Sequence, residues 1–162
     1  MSINCYLYAI DAATIERLIA DPDTTLPALA RQLPPSCDIH KAWHAIHHVL
    51  TGTADGGSEP SCFLMEGGET LGEEDLDDGY GPPRLLQPEQ VRAFNNVLQP
   101  ISKLSLLRDR FDHAAMIEAG VYSMNDDGED EDLEFTAHFF KLLRKFVKQA
   151  ADAGHGVLIS YS

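Results

Sequence analysis

Four histidines crowd one short stretch of this 162-residue sequence, His40, His44, His47 and His48. Imidazole is both a common metal ligand and a proton shuttle near neutral pH. Read on a single helix, His40 with His44 and His44 with His48 fall at i,i+4, and His44 with His47 at i,i+3, so pairs share a face and could chelate. A zinc site needs a third and a fourth ligand, and the glutamate of an H-E-x-x-H pattern is absent. His47 also lies beside the apolar positions that flank Trp43. Partly buried, hydrogen-bonded histidines are therefore the expectation, with no metal and no cofactor.

A second constellation joins Trp43 and His44 to Tyr80 and Arg84, with His47 nearby on the same helix. If the segment carrying Tyr80 folds over the Trp43 helix, the four make a cleft. The Arg84 fork would hold an anionic group, His44 would donate a proton, and the rings would form the wall. Such a cleft suits a small-ligand-binding or hydrolase-like site. The competing reading is that Arg84 and Tyr80 brace their own loop by hydrogen bonds and by an ion pair to nearby carboxylates. No nucleophile is paired with a base, so no catalytic residue is assigned. Cys5, Cys37 and Cys62 are lone cysteines in an odd number, without a C-x-x-C pair, which points to packing in a reducing compartment and away from disulfides or a thiolate zinc knuckle. There is no P-loop and no G-x-G-x-x-G, and Gly67-Gly68 lies among carboxylates, so no phosphate cradle is expected.

Charge is the third feature. The chain carries 26 acidic and 12 basic residues, a formal net charge of -14. Two runs explain the imbalance: Glu66 to Asp78 holds Glu66, Glu69, Glu73, Glu74, Asp75, Asp77 and Asp78, and Asp126 to Glu134 holds Asp126, Asp127, Glu129, Asp130, Glu131, Asp132 and Glu134. Neither run contains Lys or Arg. Nucleic acid and anionic membrane are poor partners for such a chain, because binding them depends on cations that displace counterions. A basic protein is the partner the charge favours, with Glu73, Glu74, Asp75, Asp77, Asp78, Glu129, Asp130, Glu131 and Asp132 as the docking carboxylates. Solvated loops that serve solubility are the alternative. The stretch Asp126 to Asp130 could touch calcium, yet the twelve-residue spacing of an EF-hand is missing.

These residues must be positioned by ordinary elements. Ile3 to Ile10 reads as a strand, central because both faces are apolar. Asp11 caps a helix with Ile15, Leu18 and Ile19, and a short turn follows that buries Leu26 and Leu29 before Pro34-Pro35. Asp38 is the expected N-cap of a helix from Ile39 to Leu50, closed by Gly52. Gly67-Gly68 between Cys62–Met65 and Glu69–Leu71 signals a hairpin. Pro88 opens a helix with Val91, Phe94 and Leu98, and short helices follow over 102–110 and 112–119. Leu133 to Ala151 gives a long amphipathic helix, with Leu133, Phe140, Leu143, Val147 and Ala150 on one face and Lys141, Arg144, Lys145 and Lys148 opposite. Gly156 to Tyr161 reads as a last buried strand. A chain of this size and composition folds as one domain over residues 1–162 with a real core. The first residues lack a signal peptide's basic and apolar regions, and no stretch approaches the ~20 apolar residues of a membrane span, so the expected compartment is the cytoplasm.

The run Lys41-Ala42-Trp43-His44-Ala45-Ile46-His47 closing with Leu50-Thr51-Gly52, then Gly67-Gly68-Glu69 and Gly79-Tyr80-Gly81-Pro82 with Arg84, resembles the YfbM-like family. The likeness extends through Gln87 to Val91 and the terminal Gly156 to Ile159. It implies a small bacterial cytoplasmic α+β domain and brings no established catalytic or binding residue. The fold expected is α+β, with a mixed sheet made of the N- and C-terminal strands and a central hairpin, packed by several helices. The function expected is a non-enzymatic interaction protein, of immunity or inhibitor type, that binds a basic protein, with the Trp43 cleft as the alternative.

Overall fold

A computed structural model describes residues 2–32, 36–72 and 80–162. Its first strand, β1 (Cys5–Ile10), leads into α1 (Ala12–Ala20) and α2 (Pro22–Gln32). β2 (Cys37–His40) and α3 (Trp43–Thr51) follow, then the short strands β3 (Glu69–Thr70) and β4 (Arg84–Leu86). The remainder is α4 (Pro88–Leu98), α5 (Leu104–Arg108), α6 (His113–Glu118), α7 (Glu129–Asp152) and β5 (Gly156–Tyr161). The protein is thus an α+β fold. Its five strands are ordered β2-β1-β5-β4-β3. The two ends of the chain pair along their whole length in the middle of the sheet, from Cys5 opposite Tyr161 to Ile10 opposite Gly156.

Every described pairing is antiparallel, where the sequence pointed to a mixed sheet. The hairpin also differs. Residues 62–66 form turns, and β3 pairs with β4, Glu69 opposite Leu85 and Thr70 opposite Arg84. Gly68 permits the close approach: its φ of +76° is left-handed, and a Cβ there would lie 2.6 Å from the Leu85 carbonyl oxygen. The helix expected from Ile39 is likewise divided. Residues 37–40 are a strand, His40 turns the chain with φ 53°, and the helix begins only at Trp43. Asp38 accepts the N–H of His40 at 2.7 Å and caps no helix. The segment expected to be a short turn around Leu26 and Leu29 is the 11-residue α2.

Successive strand residues point to opposite faces, which gives the sheet two cores. Cys5, Leu7, Leu86, Val157 and Ile159 pack beneath α3, α4 and α7 with Phe94, Phe140, Leu143 and Val147. Ile10, Leu85 and Leu158 pack on the other face with Ile15 and Leu18 of α1 and Leu29 of α2. The helix ends follow their caps: Asp11 accepts from Thr14 N at 2.8 Å, Gln87 and Gln90 form a capping box ahead of Pro88, and Gly52 closes α3 with φ 79°. No helix among the described residues is long and apolar enough to cross a membrane.

Candidate functional site

Trp43 opens α3 on the α7 side of the sheet, only 9% exposed, and its indole N–H donates to the Ile3 carbonyl at 2.9 Å. Three rings surround it. His44 stacks at 4.9 Å between centroids and 8° between planes, Tyr122 at 5.8 Å and 24°, and Tyr161 meets it edge-on at 5.2 Å. Tyr122 holds the same segment from its hydroxyl, which accepts the N–H of Ile3 at 3.1 Å.

His44 is fully engaged by backbone. Its Nδ1 accepts the N–H of Tyr122 at 2.8 Å, and its Nε2 lies 2.8 Å from the Ala54 carbonyl oxygen. A nitrogen that accepts carries no hydrogen, so this pattern assigns the proton to Nε2. The ring therefore has no lone pair and no N–H left for a ligand. Arg84 is also held by backbone, through three of its five N–H groups. Nη1 donates to Phe63 O at 3.1 Å and to Gly67 O at 2.9 Å, and Nη2 donates to Leu64 O at 2.6 Å. Its fork clamps the 63–67 turn, with carbonyls in place of the expected carboxylates. Tyr161 donates to the same Leu64 oxygen. Burial, with Cys5 beside it, holds the Tyr161 hydroxyl well above the ordinary phenol range.

Tyr80 reaches the same recess as Trp43. Together with Ile3, Met65 and Tyr161 the two line a recess of about 290 Å³, whose lining contains neither His44 nor Arg84. Trp43 and Tyr80 thus share an aromatic recess, while His44 and Arg84 are absent from its lining and are bonded to backbone groups. Met65, Tyr122 and Tyr161 belong to the site and went unnoticed in the sequence. Only their aromatic or thioether character could have marked them.

The histidine array does not form a chelate. His40, on β2, packs beside Phe139 at 5.9 Å, away from the α3 face that His44 shares with its neighbours. Among the described residues no three His, Cys, Asp or Glu side chains converge as metal ligands. His47 is completely buried, and neither ring nitrogen has a hydrogen-bond partner in the described structure. Burial first, then the nearby His44, holds its pKa below the ordinary value, against the opposing pull of Glu66, the Gly56 backbone and Asp55. Burial lowers His48 too, with Asp112 opposing. All three cysteines are free and buried, and desolvation pushes Cys5 and Cys37 up to about 12, so neither offers a thiolate.

The second acidic run divides in two. Glu129, Asp130 and Glu131 are exposed in the first turn of α7 and form no ion pair among the described residues. Asp132 turns inward. Its Oδ2 lies 2.9 Å from His113 Nε2 and accepts the N–H of Asn125 at 2.7 Å, with the two side chains only 13% and 8% exposed. Glu73, Glu74, Asp75, Asp77 and Asp78 lie outside the described residues.

A family model described as "Domain of unknown function (DUF1877)" matches residues 1–160. The chain belongs to this YfbM-like, DUF1877 family. The crystal structure of YfbM from Escherichia coli, titled a protein of unknown function, aligns with this DUF1877 chain over 100% of both chains, with a TM-score of 0.71 and 21% identity. That likeness carries the fold alone. No curated protein matches the chain.

Proposed function

We propose that this DUF1877 protein is a non-catalytic interaction protein that docks a basic protein partner through exposed carboxylates. The observation that carries the reading is the contrast within its polar side chains. His44 and Arg84, the residues best suited to chemistry, are consumed by backbone groups. Glu129, Asp130 and Glu131 instead face solvent, without a partner cation among the described residues. Their charges begin a 24-residue helix whose later turns carry Lys141, Lys145 and Lys148, so the acidic field is concentrated at one end. A partner with Lys and Arg on its contact face would be steered there, and its association would weaken with salt.

The test is a pull-down from native lysate with tagged protein, run at low and at ~0.5 M salt, where screening shortens the reach of surface charge to a few ångströms. A basic protein captured at low salt and released at high salt, and missed by a Glu129→Gln, Asp130→Asn, Glu131→Gln variant, is the expected result. Capture that the triple variant retains would sink the reading.

The shared recess of Trp43 and Tyr80 favours a second one, a small ligand held against aromatic walls without catalysis. A Tyr80→Ala variant separates the two: it abolishes ligand-induced thermal stabilisation if the recess binds, and leaves a charge-driven partner in place.

A further inference from the structure

The face of the sheet opposite Trp43 has a different character. There α1 and α2 cover Ile10, Leu85 and Leu158 but leave a concavity of about 330 Å³ between α2 and the strands. One wall is Tyr8 of β1 with Leu158 of β5, another is Leu26 and Leu29 of α2, and a third is Leu71 with Pro82 and Pro83. Its volume falls at the lower end of the range for small-molecule pockets, and its lining has the usual make-up, mostly apolar with few polar groups. It is too small for a folded partner.

The polar side chains on the lining are Tyr8, Ser160 and Asp23. Asp23 is exposed in the first turn of α2 and forms no ion pair among the described residues. No Lys, Arg or His is on the lining as described. An anionic ligand would thus meet a carboxylate at the mouth and no cation within, in a protein of net charge -14. A cation would meet the opposite field, and an apolar body would enter a concavity whose walls hold water weakly.

We propose that this pocket is a binding site for a small apolar amine, with the ring or branched body seated between Leu26 and Leu158 and the ammonium directed at Asp23. It is independent of the acidic end of α7 and of the Trp43 recess.

Two probes that share one ring test it: 1-naphthylmethylammonium and 1-naphthoate, titrated into the full chain while side-chain methyl resonances are followed by NMR. The expected result is saturable binding of the amine with shifts at Leu26, Leu29 and Leu158, and weaker binding of the carboxylate. Asp23→Asn should cost the amine about threefold at low salt, the scale of an exposed ion pair, and leave the carboxylate no worse. Ala30→Trp on α2 and Ser160→Phe on β5 each fill the pocket from a different wall and should reduce amine binding at least roughly tenfold, with the melting temperature held. Shifts confined to other residues, equal affinity for the two probes, or amine binding unchanged in whichever filling variant stays folded would each overturn the proposal.

Discussion

The two faces of the sheet are built of different material and differ in how their polar atoms are used. On the α7 side Trp43, His44, Tyr122, Arg84 and Tyr161 form a polar-aromatic cluster in which donors meet backbone carbonyls and His44 Nδ1 meets a backbone N–H. On the α1–α2 side the walls are mostly aliphatic and proline, with Tyr8 among them, and room is left between them. A reactive-looking residue type is therefore no guide to a reactive site here. What decides is whether the polar atoms are spoken for, since a buried group that satisfies a carbonyl cannot also serve a ligand without leaving that carbonyl unpaired.

If the α7 side is a brace, breaking it should cost stability, and the largest cost belongs to Arg84. Arg84→Met keeps the aliphatic stem and deletes three charge-assisted bonds to Phe63, Gly67 and Leu64, for an expected loss of about 3 kcal/mol in urea unfolding. A loss below about 1 kcal/mol would free Arg84 for a ligand and blur the contrast between the faces. His44→Phe comes next. The ring can still stack on Trp43, but Tyr122 N–H and Ala54 C=O lose their partner, so about 2 kcal/mol is expected by the same assay. Asp132→Asn should cost about 1 kcal/mol, because the amide oxygen can take the place of Oδ2 for both donors but the charge that strengthens those bonds and favours the start of α7 is lost.

Where local rules decide, the sequence was readable. Continuous apolar runs marked β1 and β5, Asp11 marked the start of α1, Pro88 the start of α4, and the spacing of Leu133, Phe140, Leu143 and Val147 marked α7. The break between β2 and α3 was not, because the left-handed turn at His40 lies inside a stretch whose apolar spacing also fits a helix. Nor was the partner of β3, which lies beyond the first acidic run and is fixed by Gly68 pressed against Leu85. For the site, Trp43 and Tyr80 line one recess. The fates of His44 and Arg84 were not readable, since their partners are backbone carbonyls and an N–H, which nearly every residue carries alike. The His113–Asp132 contact joins positions 19 apart on different helices, a separation no periodic pattern encodes.

His47 sharpens the comparison within α3, for unlike its neighbour His44 it is completely buried without a well-formed hydrogen bond at either ring nitrogen. Its folded pKa is held below the unfolded value of 6.5 by burial and by His44, with Glu66, the Gly56 backbone and Asp55 only partly offsetting them. Below 6.5 the unfolded chain therefore binds a proton that the folded ring resists, the unfolded state carries more protons, and stability must fall as pH drops through that value. His48 contributes with the same sign. Urea unfolding from about pH 7.5 to about pH 5.5 should show wild type losing stability, and His47→Leu should lose less over the same interval. At about pH 7.5 the Leu variant should differ from wild type by less than about 1 kcal/mol, because removing two unpartnered nitrogens offsets the change of shape. Equal losses in the two proteins would mean that the His47 ring accepts its proton within the fold, and that the enclosed polar side of the sheet admits water at its centre.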